Sequence, residues 1–362
     1  MLQLGDRLGV DALALLAERA AMAALRRRGT TSCGGSSRLL AVGDDWLAVT
    51  LARSTDVELV PAWIESDDVG GDVWASVREA LRRTTAEQVV ARGRGLGLPI
   101  TRVGEVMAAD RAGVVASRRG DASPLDSPPL VVDLSALWAG PLCARLLGHR
   151  GARVVKVESV TRLDGARAGP AEFFDLLHAG HCSVALDFAD GDGVQRLRGL
   201  IAAADVVIDS SRPRALEQLG ISVDELLAEE SGPRVWVSIT GYGREVHGGL
   251  ATAFGDDAAA AGGLVAWGTD GAPRFAADAI ADPLTGLAAG SAAVDALVAG
   301  GRWLVDAALA RVAASVTGTD AGVGWAEVAS ETAVPPEAPA VVGRSRPFGA
   351  DTDLVLQSLG IL

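Results

Sequence analysis

The chain reads as an α/β protein: a parallel sheet covered on both faces by helices, preceded by a smaller α+β domain. Past residue 130, short apolar runs rich in Val and Ile (LVVDLS, ARVVKVE, DVVIDS, RVWVSIT) alternate with helical stretches such as GPLCARLLGHRG and DGVQRLRGLIAAA. Strands apolar on both faces belong to parallel sheets buried between helices. Before residue 118 the pattern is different, mixing strongly helical periodicity with one hairpin signal. These observations predict a Rossmann-like large domain over 130–318 and a small domain over 1–118.

Taken in order, the N-terminal MLQLGDRLGVDALALLAERA carries apolar residues at helical spacing, with Asp and Glu inside the pattern. That is an amphipathic helix and not a signal peptide. SRLLAVGDDWLAVTLA gives two short strands around a Gly-Asp-Asp turn. DVWASVREALRRTTAEQVVARGRGLGLPI gives two helices; Thr84 or Thr85 caps the second, which stops at its glycines. RRGDASPLDSPP, dense in Ser and Pro, marks a linker over 119–129. A Glu-, Pro- and Ala-rich segment, 319–362, follows the large domain and ends in a short helix. No internal repeat is present.

A chain of 362 residues buries a large core and has length for two domains. Its net charge of −13 argues against nucleic acid as a partner, because phosphate neutralisation needs basic surface. Small anions remain open, held by local arginines; Lys156 is the one lysine. Cys33, Cys143 and Cys182 are odd in number and widely spaced, which predicts reduced thiols and a cytoplasmic setting. No apolar run is long enough to predict a membrane span.

Several chemistries find no motif. The turn after the first large-domain strand, DLSALWAGPLCARLLG, lacks the dinucleotide G-x-G-x-x-G, and in GYGREVHGG Val246 occupies the third glycine position. Lys156 is followed by Val157, so no Walker loop exists, and no G-x-S-x-G elbow occurs. HAGHC (His178, His181, Cys182) lacks a second cluster, so no metal is expected and these read as ordinary loop residues. LRRRG and LRRT are solvated helix ends.

The acids remain. Asp256 and Asp257 sit in AFGDDAAAAGGL and Asp282 in IADPLTG, each ahead of a small-residue helical run. Asp favours helix N-caps and Pro283 suits a first helical position, so capping is one reading of Asp282. Chemistry is the other: a partly desolvated carboxylate is a usable nucleophile toward an acyl carbon, and flanking Gly and Ala admit a ligand closely.

At these residues the sequence resembles the class III CoA transferases, the CaiB/BaiF family, which includes formyl-CoA and carnitine CoA transferases and α-methylacyl-CoA racemases. VVDLSALWAGPLCARLLGHRGARVVKVE resembles that family's opening strand, its Ala-Gly-Pro helix start and its second strand; HCSVALDF, ADVVIDSSRPRALEQLGI and VSITGYG resemble later segments in consistent order. GTDGAPRFAADAIADPLTG resembles the segment ending in the family's catalytic aspartate, which falls on Asp282. The first 118 residues are similar to the family's small domain, which normally follows the large one, and the tail RPFGADTDLVLQSLGIL resembles the family's usual C-terminus. The resemblance therefore implies a circularly rearranged class III CoA-transferase fold.

It also implies a CoA transferase moving CoA from an acyl-CoA donor to a carboxylic acid, through an aspartyl-CoA thioester on Asp282. CoA or acyl-CoA would be substrate, with no permanently bound cofactor, and the enzyme would be an interlocked homodimer. Leu137, Trp138 and Ala139 fall where relatives contact CoA, although Trp138 is equally readable as core packing. Arg212 lies in the family's Arg-Pro motif. Gly34 and Gly35 in SCGGSS stand where transferase members carry an early Gly-rich loop, here shorter, and with Gly286 are candidate oxyanion donors. Asp257 orients a substrate group or caps its helix. Ser159, Ala189, Ser210 and Gln218 are neutral where relatives place basic or amide groups, which shifts phosphate recognition toward other arginines, Arg162 or Arg167. Asp256-Asp257 replace the racemases' His-Asp, which weakens the alternative of α-proton exchange. A catalytically degenerate CoA-ester-binding homologue is the third reading.

Overall fold

The computed structural model describes residues 1–106, 113–123, 125, 127–229, 231–317 and 336–361. Part of the expected C-terminal linker, 319–335, lies outside the described residues, as do positions 124 and 126 of the central linker.

The N-terminal segment forms two helices where one was expected, Leu2–Leu8 and Ala12–Met22. Gly9 closes the first in the left-handed region, at φ 70°, and Asp11 opens the second by accepting from the Leu13 and Ala14 amides. The hairpin follows as expected: β1 (Ser37–Val42) and β2 (Asp45–Thr50) pair antiparallel around Gly43, at φ 58°. β3 (Ile100–Arg102) adds to β2. Helices Val73–Leu81 and Ala86–Gly95 cover one face of this sheet, and Thr85 caps the second through the Gln88 amide. Leu47, Val49, Trp63, Val77, Val89 and Ile100 fill the core between them. The opposite face, through Leu39 and Ala48, packs on Ala260, Val265 and Phe275 of the C-terminal half.

The second sheet contains seven strands: β4 (Val114–Gly120), β5 (Leu130–Asp133), β6 (Arg153–Ser159), β7 (Cys182–Leu186), β8 (Val206–Asp209), β9 (Val235–Thr240) and β12 (Arg302–Ala308). A separate hairpin pairs β10 (Val265–Trp267) with β11 (Pro273–Phe275). The large-sheet order is β4-β12-β9-β8-β5-β6-β7, parallel throughout except for β4. Counting the six parallel strands along the chain gives 3-2-1-4-5-6, the doubly wound order whose switch point lies between its first and fourth strands, here β5 and β8. Strands β4 and β12 lie beyond the sequence expectation. β12 is interrupted by charges that its neighbours absorb: Arg302 donates to the Pro233 carbonyl at 2.9 Å, and Asp306 pairs with Arg311 at 2.8 Å.

Helix Ala281–Ala299 crosses Ala139–His149 at close range. A Cβ at Gly286 would stand 2.7 Å from the Ala139 carbonyl oxygen and 2.9 Å from Leu142 Cβ, so only glycine permits the crossing. Gly286 is therefore a packing residue inside a helix ladder and not the oxyanion donor expected from sequence. The N-terminal helices seal this pair, with Leu8, Ala12 and Leu15 packed against Trp138, Leu142, Phe173 and Leu287. The C-terminal tail is anchored on β7: Asp351 accepts from the Ser183 amide at 2.9 Å, and Val355 and Leu356 enter the core.

Candidate active site

Four carboxylates converge where Ala281–Ala299 begins. Asp282 is not the helix N-cap, a position held by Ile280, and its side chain makes no capping bond. It is half-buried. Burial pushes its pKa up to about 7; Arg19 opposes the shift, Asp256 and Asp278 add to it, and the Gly255 amide opposes it. The carboxyl group thus titrates near neutrality, a perturbation of the kind that clusters at functional sites, and is nucleophilic once ionised.

The turn leading into Asp282 is strained and held by side chains. Ala277 and Ala279 have φ of 59° and 42°, a region that costs a non-glycine residue about 1–2 kcal/mol. Asp256 Oδ1 accepts from the Ala279 amide at 2.9 Å, and Cys33 Sγ donates to the Ala277 carbonyl at 3.3 Å. Between them Asp278 is gripped by Arg19, Nε and Nη2 each 2.7 Å from a carboxylate oxygen. Arg19 lies 4.8 Å from the Trp138 ring centroid, in cation–π contact. Burial pulls the Arg19 pKa down, but Asp278, Asp282 and Asp256 more than compensate and leave it raised. Burial, then Asp278 and Asp256, push the Cys33 thiol up, which keeps it protonated and a donor.

The small domain supplies the remaining partners. Ser37 Oγ donates to Asp256 Oδ2 at 3.2 Å, and Thr50 Oγ1 to Asp257 Oδ1 at 2.8 Å. Burial, with Asp256 as a like-charged neighbour, pushes Asp257 to about 7 against the opposing Thr50 and Phe254 donors. Asp257 also accepts from the Phe254 amide at 3.0 Å, one position before its own helix, Gly255–Ala261. It is fully buried, so of its two sequence readings the capping one fits its contacts. Cys33 brings the loop holding Gly34 and Gly35 over the acid cluster. A Cβ at Gly34 would meet nothing within 4 Å, so this loop borders open space; Gly35 has φ 88°.

The switch-point segment reaches the acids through Trp138, whose ring lies 4.8 Å from the Arg19 guanidinium. Ala136 donates its amide to Ser210 Oγ at 3.1 Å, bridging the ends of β5 and β8. Leu137, at φ 71° and exposed, donates its amide to Asp164. Ala139 starts the next helix at this mouth. The Trp138 indole turns inward, edge-on to Phe173 at 5.3 Å, and is core. Arg212 donates to Thr252 Oγ1 at 2.8 Å; burial, then Arg53 and Arg162, push its pKa down. Arg162 is exposed, and neither it nor Arg212 has a carboxylate partner among the described residues. Arg167, the other arginine expected to be free for phosphate, is held bidentately by Glu158 at 2.6–3.1 Å.

His178 and His181 are not loop residues open to solvent. Both are buried, with His178 inside helix Ala171–His178; burial holds His178 well below its ordinary value, and His181 is pushed down to about 4. A cavity of about 360 Å³ lined by Arg145, His149, Arg153 and His181 opens at the far end of Ala139–His149 and does not include the acid cluster. No helix among the described residues is long and apolar enough to cross a membrane.

Residues 129–342 match the family model described as CoA-transferase family III, more than half of the chain. The chain belongs to this family. It is 33% identical to an acyl-CoA transferase of Fusarium pseudograminearum over 56% of this chain and 48% of that protein. It is 32% identical to an (R)-2-hydroxy-4-methylpentanoate CoA-transferase of Clostridioides difficile, over 32% and 31%. A succinate–glutarate CoA-transferase of Agrobacterium fabrum is 31% identical over 48% of each chain. A CaiB/BaiF family protein from Brucella suis aligns with TM-score 0.49 and 28% identity, over 59% of this chain and 60% of that one. The chain spans about half, or less, of the curated relatives named here.

Sequence reasoning missed Arg19, Asp278, Ser37 and Thr50. Arg19 carried one signal, a charged pair in AERAA within an otherwise apolar helix whose partner Glu18 is also buried, bonded to Arg145 at 2.8 Å.

Proposed function

We propose that the chain is an acyl-CoA:carboxylate CoA transferase that works through covalent acylation of Asp282. The observation carrying this reading is the half-buried Asp282 carboxyl group, pushed up to about 7 by burial, at the N-terminal end of a buried helix of a family III chain and flanked by Arg19, Asp256 and Asp278. Asp282 attacks the thioester carbonyl of the donor, forming a mixed anhydride and releasing CoA thiolate. The thiolate attacks the aspartyl carbonyl, giving the aspartyl-CoA thioester and freeing the first acid. A second acid reverses the two steps, so the thioester's energy is retained.

Within this proposal Leu137, Ala139 and the Gly34-Gly35 loop border the pantetheine path. Arg212, with Arg53 and Arg162 as like-charged neighbours, attracts the phosphates together with Arg162. The N-terminal unit corresponds to the family's small domain moved ahead of the large one, the assembly is a homodimer, and the compartment is cytoplasmic, where acyl-CoA and reduced thiols coexist. Proton exchange by Asp256 is disfavoured, because both its oxygens are committed to Ala279 and Ser37. The test is incubation with acetyl-, propionyl- and succinyl-CoA plus hydroxylamine, followed by peptide mass mapping. A hydroxamate on Asp282 that is absent from Asp282→Ala supports the reading. Donor binding without any hydroxamate would instead support a CoA-ester-binding homologue.

A further inference from the structure

Arg19 uses only part of its hydrogen-bonding capacity. The Nε–Nη2 edge of its guanidinium is taken by Asp278. Nη1 bonds to nothing among the described residues, and the side chain is 31% exposed. A guanidinium presents donors in a planar fork, and each edge matches a carboxylate. The Trp138 ring, 4.8 Å from the guanidinium carbon, and Asp278 along one edge fix the group, so its free Nη1–Nη2 edge is pre-organised. It sits among Asp256, Asp278 and Asp282, a cluster that would repel any incoming acid without it.

We infer that the free Nη1–Nη2 edge of Arg19 docks the carboxylate of the acid substrate, so that the N-terminal helix Ala12–Met22 helps decide which acids are accepted. This rests on the CoA-transfer reading above and deepens it. With Asp282 carrying CoA as a thioester, one oxygen of the docked carboxylate attacks the aspartyl carbonyl carbon. The C–S bond breaks and CoA leaves as thiolate with the electron pair. The thiolate then attacks the substrate's acyl carbon, and Asp282 departs as carboxylate. Arg19 holds the charged carboxylate before attack and transfers no proton; the neutral acyl groups that follow, and those of the donor, make no such demand on it. Asp278 is a positioning residue, and its own pairing with Arg19 is what aims the free edge.

The experiment compares the wild-type protein with Arg19→Lys, Arg19→Gln and the double variant Arg19→Gln/Asp278→Asn, which also removes the carboxylate that Arg19 pairs with. Propionyl-CoA is the donor, acetate and succinate are the probe acceptors, and the pH is held well above the Asp282 pKa of about 7. Two readouts are taken: hydroxylamine trapping on Asp282, which needs no acid, and KM for the acceptor. The expected result is an acceptor KM raised roughly 10- to 100-fold in both Gln variants, less in Lys, with trapping falling by a clearly smaller factor, since Arg19 also braces the turn before Asp282. An unchanged acceptor KM in the double variant, or trapping and transfer falling together, overturns the inference. A wild-type protein that forms no hydroxamate with any donor brings down the transferase reading itself, which separates the two failures.

Discussion

Gly255→Ala would place a methyl group in the tightest part of the site. A Cβ there stands 2.7 Å from the Ala279 carbonyl carbon and closer still to the Ala279 oxygen and Asp282 Oδ2. Ordinary contact begins near 3.4 Å, so something must move by roughly 0.7 Å or more. Two of the three neighbours are backbone atoms of the strained turn, pinned by Asp256 and Cys33, and the third is the carboxylate itself. The turn and Asp282 must therefore shift together. Overpacking of this kind costs about 1–3 kcal/mol of stability. A displacement near 1 Å of the reacting group costs on the order of 100-fold in rate. The assay pairs thermal unfolding with single-turnover hydroxamate formation on Asp282. Wild-type trapping rates in Gly255→Ala would refute the claim that this contact sets the position of Asp282.

Three further outcomes follow from the same geometry. The kcat/KM for the acyl-CoA should rise with pH through about 7 as Asp282 ionises, roughly tenfold per pH unit on the acid limb, in a pH–rate profile. Asp257, moved from 3.8 to about 7 by burial, keeps its proton in the fold while the unfolded chain has lost it, so its contribution to stability is intact below pH 4 and fades as pH rises through about 7. Asp257→Asn should therefore gain on the wild type by a few kcal/mol, on the order of 4, between pH 4 and 8 in urea titrations; a constant difference would contradict the shift. Gly286→Ala should lower stability by about 1–3 kcal/mol, because its methyl group meets the Ala139 carbonyl at 2.7 Å, and an unaltered unfolding midpoint would show that the two helices separate freely.

The parallel strands and their helices were legible because burial on both faces leaves uninterrupted Val and Ile runs, and Thr85 and Gly43 announced their cap and turn. β12 was not, since Arg302 and Asp306 break its apolar pattern and are satisfied only by tertiary partners. Asp282 was found through its segment, but local pattern suggested a cap that the fold does not use. The residues that shape its environment come from positions 19, 33, 37 and 256, brought together by packing of the N-terminal helices and small sheet on the large domain. Nothing local in AERAA or SCGGSS states that its neighbour will be an aspartate more than 200 residues away.

The central claim is a covalent bond between substrate and Asp282, and oxygen exchange tests it most directly. When the second acid attacks the aspartyl thioester, one of its carboxylate oxygens remains on Asp282 after CoA departs with the acyl group. Turnover with an acid labelled by heavy oxygen in its carboxylate should leave that label on the peptide containing Asp282, and only when both acyl-CoA and acid are present. Multiple turnovers with no label at Asp282, or label on another residue, would contradict the account.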